Sequence, residues 1–217
     1  MQTKAVEDYL KNIYELQDRY GKVPTTVLAE RLGKTPASIT GMIKKLATMQ
    51  LVSHESYQGV SLTESGAKVA LEVIRHHRLI ERYLAEALGV PWDKVHAEAD
   101  QWEHVLSEDM EERIDRMLGY PTTDPHGAPI PRRDGSIPPV ADTRLSDLRP
   151  GQSGVIAEVS DHDSELLRYL GGMGLYPGAA IKIVALAPFG GPVTLTIAGA
   201  QHTIGREAAT HVRIHPA

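Results

Sequence analysis

Residues 121–140, PTTDPHGAPIPRRDGSIPPV, separate two parts of this chain that follow different periodicities. Proline lacks the amide proton that a helix or a sheet ladder uses, and its ring crowds the preceding turn. Six prolines within those twenty residues therefore exclude a continuous helix or a central strand. The segment reads as an ordered loop or interdomain linker. Before it, apolar residues recur at helical spacing, and after it short β-forming runs are punctuated by glycine and proline. The expected fold class is α+β, with a boundary here.

At the N-terminus, Val6, Tyr9, Leu10, Ile13, Tyr14 and Leu16 fall at helical spacing, and Gly21 with Pro24 closes that helix. VLAERLG then predicts a short helix ending at Gly33. A third starts with Thr35 as N-cap and Pro36 in its first turn. Ile39, Met42, Ile43, Leu46 and Met49 form its buried stripe, which turns Thr35, Pro36, Ala37, Ser38, Thr40, Gly41 and Lys44 outward. LVSHESYQGVSLT alternates β-formers on either side of a Gln58-Gly59 turn, the pattern of a hairpin. Helix, helix, helix, hairpin is a winged helix-turn-helix order. In that arrangement the small polar residues at the start of the third helix reach base edges in the major groove. A helical module with no DNA role is the bland alternative.

Charge is segregated along the chain. Residues 1–82 carry a net +3 and residues 83–120 a net −7, within an overall −5. A basic N-terminal third permits a nucleic-acid surface without proving one. The chain has no cysteine, so disulfides, thiolate zinc sites and cysteine nucleophiles are excluded, and any metal is held by nitrogen and oxygen. No apolar run approaches the ~18 residues that span a bilayer, and MQTKAVEDYL lacks a hydrophobic signal region. A cytoplasmic protein without a membrane partner is expected.

From Thr63 a long helix is predicted to Gly89, with His77 and Glu81 at i and i+4. Taken in isolation, the pair is better read as a solvated helical ion pair than as two ligands. A further acidic helix is predicted over 94–118, where His96, Asp100, Glu103 and His104 would share one face. Imidazole and carboxylate so placed can converge on a divalent cation. Val95, Ala99, Trp102, Val105 and Leu106 mark this helix as partly buried, and carboxylates bordering a core need partners. Trp102 and Met110 read as core. The apolar residues of the two helices exceed what one antiparallel pair covers, which points to a homodimer. Beyond the linker, LRPGQSGVIAEVS, GLYPGAAIKIVALAP, VTLTIAGAQHTIG and HVRIHPA predict a small SH3-like barrel. The domains are expected at 1–72 (winged helix-turn-helix), 73–140 (helical dimerisation domain with linker) and 141–217 (barrel).

The markers VEDYLKNIYEL, TPASITGMIKKL, HHRLIERYL, KVHAEADQWEHVLSEDMEERI and PHGAPIP, spread over essentially the whole chain, resemble the diphtheria toxin repressor family of metal-dependent transcriptional regulators. LSDLRPGQSGVI and LGGMGLYPG are similar to the domain of ferrous-iron transport accessory proteins. The resemblance implies a regulatory site of Asp8, Asp100, Glu103 and His104, and an ancillary site of His77, Glu81 and His96. The iron-sensing branch has methionine where this chain has Asp8 and cysteine where it has Asp100. Oxygen in place of sulfur favours Mn(II), or Mn(II) together with Fe(II). The manganese branch has glutamate at the position of Lys11, so its paired-metal site does not carry over. In the iron branch the barrel adds polar ligands. Asp161, Asp163 and Glu165 are the candidates here, a flexible acidic loop being the alternative. His54, His76, His126, His162, His202, His211 and His215 have no evident second ligand.

The implied function is a metal-dependent repressor of metal-uptake genes that binds palindromic operator DNA as a homodimer, and not an enzyme. A winged-helix regulator answering to a non-metal ligand is one rival. A metallohydrolase is a more distant one, since no nucleophile elbow, phosphate loop or HExxH motif occurs.

Overall fold

The computed structural model describes residues 3–55 and 58–217. The chain forms two compact units: Met1–His76 with Glu103–Leu106 and Pro131–Ser136, and His77–Trp102 with Ser107–Ile130 and Ile137–Ala217.

The first unit contains α1 (Lys4–Tyr20), α2 (Thr25–Leu32), α3 (Pro36–Thr48), β1 (Val52–Glu55), β2 (Gly59–Leu62) and the first half of α4 (Glu64–Leu88). The capping signals act where the sequence puts them. Gly33 ends α2 in the left-handed conformation, and Thr35 caps α3 by accepting from the Ser38 amide at 3.3 Å, with Pro36 at its first position. Thr63 Oγ1 accepts from the Gly66 amide at the start of α4. β1 and β2 pair antiparallel, and Val23 adds a third rung by exchanging two backbone hydrogen bonds with Val60. Ser56 and Tyr57, within the segment expected to form the hairpin, lie outside the described residues. Tyr9, Leu10, Ile13, Leu28, Ile39, Ile43, Leu46 and Val60 fill the core, so α3 is anchored from behind with its other face bare.

The second unit contains the rest of α4, α5 (Val95–Trp102), α6 (Glu108–Met117), β3 (Thr143–Arg144), a 3-10 turn, β4 (Ser153–Val159), α7 (Ser164–Gly171), β5 (Ala180–Leu186), β6 (Val193–Ile197), β7 (Ala200–Ile204), α8 (Arg206–Thr210) and β8 (Val212–Pro216). The expected barrel is an antiparallel sheet in the order β3-β8-β4-β5-β6-β7. Register shifts at Ile156/Glu158 and Ile183/Ala185 bend it over Leu167, Leu195, Val212 and Ile214.

Two expectations are corrected. The acidic helix over 94–118 is two helices, because Ser107 caps a new one: its hydroxyl accepts from the Met110 amide, and Glu108, Asp109 and Glu111 follow in the first turn. Glu103 and His104 thus leave the helix that carries His96 and Asp100. Trp102 and Met110, expected in the core, are exposed. Met110, Ile114 and Met117 share a face of α6, and this chain alone covers only Ile114.

The proline-rich segment is ordered without being regular. Within the second unit, Asp124 donates its amide to the Ala128 carbonyl, and Thr123 bridges Pro129. Within the first, Arg75 donates to the Pro131 carbonyl at 2.9 Å.

Candidate metal centres

In the first unit, α1 brings Glu7, Asp8 and Lys11 against the 103–106 turn. Their spacing puts all three on one side of the helix. His104 Nε2 lies 2.8 Å from Asp8 Oδ1 and 3.2 Å from Glu103 Oε1. Neither contact has hydrogen-bond geometry, so this buried nitrogen has no hydrogen-bond partner among the described residues. The opposite ring nitrogen, Nδ1, is 2.6 Å from Glu7 Oε2. A carboxylate on Nδ1 fixes the tautomer whose Nε2 lone pair faces Asp8 and Glu103, the usual device behind a metal-binding imidazole. Glu103 is 2% exposed, and its second oxygen accepts from Lys11 Nζ at 2.7 Å. His76 Nδ1, 3.1 Å from the Glu103 carbonyl oxygen, steadies the turn. Burial pushes the Asp8 carboxyl above its usual range; His104 pulls it down and Glu103 pushes it up again.

In the second unit a larger cluster is buried. Glu81, fully buried on α4, has Oε1 at 3.0 Å from His77 Nε2 and 3.1 Å from His96 Nδ1. Asp161, two residues past the end of β4, reaches His96 Nδ1 at 3.2 Å. Burial opposes the charge on Glu81, yet His77 and its hydrogen-bonding partners hold its carboxyl well below the usual range. Burial likewise opposes charge on His96, but Asp161 and Glu81 carry it up to about 11. Asp161 is held low by His96 against its own burial.

The proline-rich loop completes this cluster. Asp124 Oδ1 accepts from the amides of His126 and Ala128, a turn in which Gly127 has φ +92° and its α-carbon lies too close to the Ala157 carbonyl for any side chain. The Val159 amide donates to the His126 carbonyl and pins the loop to β4. His126 Nδ1 is thereby set 3.7 Å from Glu81 Oε2. Burial pushes Asp124 up to about 8. His126, which burial alone would lower, is raised by Glu81 to about 9.

The structure brings Asp8, Glu103 and His104 together in one unit and His77, Glu81, His96 and Asp161 in the other. Asp100 lies in the second unit, 3.4 Å from His77 Nδ1 and 3.8 Å from His96 Nε2. Asp163 is the N-cap of α7, accepting from the amides of Glu165 and Leu166, and Glu165 is exposed in the same turn. Sequence reasoning missed Glu7, Asp124 and His126 and did not foresee the role of Lys11. Glu7, Asp124 and His126 do not stand at helical spacing from a second ligand, and DPHG reads only as a turn. Both donor sets are nitrogen and oxygen, and the buried Glu81 Oε2, His104 Nε2 and His126 Nδ1 have no hydrogen-bond partner among the described residues. The residues fit a hard or borderline divalent cation. On α3, Thr35, Pro36, Ala37, Ser38, Thr40, Gly41 and Lys44 are all exposed.

A winged helix-turn-helix joined to a histidine-carboxylate helical segment and an SH3-like sheet defines a class of metal-responsive DNA-binding regulators. Residues 1–60 match the N-terminal DNA-binding domain of the iron-dependent repressors, residues 63–132 their metal-binding and dimerisation domain, and residues 143–216 the FeoA domain. The iron-dependent repressor IdeR of Mycobacterium tuberculosis is 35% identical over 97% of this chain and 96% of its own length. The diphtheria toxin repressor of Corynebacterium efficiens is 32% identical over 83% of each. Among solved structures, a manganese-dependent transcriptional repressor in complex with manganese is 38% identical with a TM-score of 0.92, covering 98% of this chain and 100% of that one. ScaR with bound Zn2+ is 30% identical with a TM-score of 0.84, over 100% of both chains. The chain belongs to the iron-dependent repressor family of metal-dependent transcriptional repressors. No helix among the described residues is long and apolar enough to cross a membrane.

Proposed function

We propose that this chain is a cytoplasmic repressor activated by Mn(II), with Fe(II) as the second metal its donors accept, that binds palindromic operators as a homodimer and silences metal-uptake genes. The observation that carries this is the convergence of Asp8 from α1 with Glu103 and His104 from the turn after α5, all through nitrogen and oxygen. The resemblance adds Asp100 to this set. His77, Glu81, His96 and Asp161 serve as the ancillary ligands. Residues 1–72, 73–140 and 141–217 are the working division into DNA-binding, dimerisation and SH3-like domains.

A divalent cation supplies the positive charge that lets Asp8 and Glu103 approach without repulsion. With that charge present, Asp8, Glu103 and His104 hold the 103–106 turn on α1. Without it the carboxylates repel and α1 is free to shift. Thr35, Ser38, Thr40 and Lys44 then reach bases in two successive major grooves, about 34 Å apart in a dimer, only in the held arrangement. The exposed face of Met110 and Met117 is the surface assigned to the second copy.

Fluorescence anisotropy with palindromic fragments from the cognate genome, at fixed salt, tests this. Binding should appear with micromolar Mn(II), weaken with Zn(II), vanish with chelator and vanish in Asp8→Ala and Asp100→Ala. Equal binding after chelation would mean that the regulator answers to another signal.

A further inference from the structure

The chain's single phenylalanine, Phe189, stands fully exposed at the tip of the β5–β6 hairpin. The Gly191 amide donates to the Pro188 carbonyl at 3.1 Å and the Ala187 amide to the Pro192 carbonyl at 3.0 Å, so the tip is a closed turn centred on Phe189 and Gly190. Both central residues have positive φ, +58° and +74°, the signs of a type I′ turn. Asparagine or aspartate before glycine suits such a turn, whereas a bulky side chain in the left-handed region is an outlier. With the ring bare, no packing among the described residues compensates for that conformation. Between Lys182 and Arg206 the sequence holds no Asp, Glu, Lys or Arg, although 24% of the chain is charged. Edge strands are ordinarily guarded by charge, and β7, at the edge of this sheet, has none. The tip is built to meet an apolar surface.

The same unit carries a surface that such a tip fits. Trp92, Pro125, Ile156, Tyr176 and Pro177 wall a cleft of about 510 Å³. The Trp92 and Tyr176 rings lie with centroids 4.6 Å apart, and Tyr176 is 42% exposed. Arg82, also on the wall, is paired with Glu86 at 2.6 Å, which leaves the aromatic and proline faces as the attraction. Tyr176 and Pro177 precede the first residue of β5 and Phe189 follows its last, so seven extended residues put roughly 20 Å between cleft and tip. Phe189 therefore cannot fill the cleft of its own chain. We propose that it fills the cleft of another copy, the Phe189 tip of one repressor dimer docking against Trp92 and Tyr176 of the next. A third ring there completes an aromatic cluster in offset or edge-to-face packing, and an uncharged tip brings no charge to be desolvated. Because tip and cleft lie at opposite ends of β5, the contact is head-to-tail and does not close on itself. Dimers joined in this way occupy neighbouring operators cooperatively.

The contact rests on the homodimer reading only for its building block. Sedimentation velocity of the full chain with Mn(II) and no DNA should show dimers passing into tetramers and larger species as concentration rises. Phe189→Asn should leave dimers alone, and should raise the urea midpoint because asparagine suits the turn. Tyr176→Lys, at the rim of the cleft, should also stop at the dimer. Mixing the two variants should restore association, since one keeps the cleft and the other keeps the tip. Wild type that remains dimeric at every concentration would overturn the proposal, as would association unchanged in Phe189→Asn or a mixture that stays dimeric. Wild type that instead sediments with phosphatidylcholine vesicles, and releases them in Phe189→Asn, would make the tip a lipid anchor and overturn self-docking. Monomers in Phe189→Asn would count against the homodimer reading and not against the docking, which the mixture still reports.

Discussion

Lys11 and Glu103 form an ion pair at 2.7 Å with side chains 9% and 2% exposed, so neither charge is offset by water. Removing one partner of such a pair leaves the other buried and uncompensated, at a cost of about 3–5 kcal/mol. Lys11→Met should therefore destabilise the metal-free protein by about that amount in urea unfolding, with Mn(II) restoring part of the loss. A change below ~1 kcal/mol would place the pair among the solvent-screened ones. The same residue explains a departure from the manganese branch: an ammonium stands against Glu103 Oε2, leaving Oε1 toward His104. Position 11 was legible as a difference of charge, but its partner lies 92 residues away, and no local spacing reports such a contact. Asp8, Glu103 and His104 were legible through resemblance. Glu7 was not, because its role depends on the direction in which the His104 ring is presented.

Proton linkage in the second cluster also belongs to single residues. His126 and His96 are raised to about 9 and about 11, so the fold keeps protons that the unfolded chain loses near 6.5. Their stabilisation is complete below pH ~6.5 and is lost as pH rises through about 9 and then about 11. Asp124, raised to about 8, acts in the same direction: its contribution is complete below pH ~3.9 and is gone above about 8. These groups face His77, Glu81, Asp161, His162 and Arg78. The metal-free protein should lose thermal stability from pH 6.5 to 9, and the gain in Tm on adding Mn(II) should grow over that interval, since metal displaces the protons. A Tm gain that is flat with pH would contradict this assignment.

At the scale of elements, the SDHDSEL segment divides its acids between two tasks. Asp161 extends from just past the end of β4 to His96, and Asp163 caps α7 through the amides of Glu165 and Leu166. Asparagine caps as well as aspartate, whereas alanine loses about 1 kcal/mol. Asp163→Asn should thus be silent, Asp163→Ala should cost about 1 kcal/mol in urea unfolding, and neither should change the Mn(II) count, which Asp161→Asn should lower. A lowered count in Asp163→Asn would make it a ligand after all. Sequence could not choose among the three acids because the choice depends on where β4 ends and α7 begins. The boundaries of α2 and α3, by contrast, were readable, since Gly33, Thr35 and Pro36 are local signals. The break between α5 and α6 escaped because Val105 and Leu106 prolong the apolar rhythm. Ser107 followed by acids was the cap signal that marked it.

For the whole molecule, the proline-rich segment was legible as a boundary, but not as a source of ligands. Its turn supplies Asp124 and His126 to a cluster whose other members come from α4, α5 and the segment after β4. Such a site is assembled by tertiary packing, out of reach of periodicity. The fold class could be read from the change of period at residues 121–140, whereas the first unit recruits Glu103–Leu106 and Pro131–Ser136 from later in the chain. That recruitment underlies the central claim, that metal held by Asp8, Glu103 and His104 sets the arrangement competent for DNA. Coupling of this kind is reciprocal. The most direct test is Mn(II) affinity measured with and without a saturating operator fragment, in the wild type and in His104→Ala. The wild type should bind Mn(II) more tightly on DNA, by the same factor as Mn(II) tightens its operator binding, and His104→Ala should lose both effects together. Equal Mn(II) affinity on and off DNA would contradict the account.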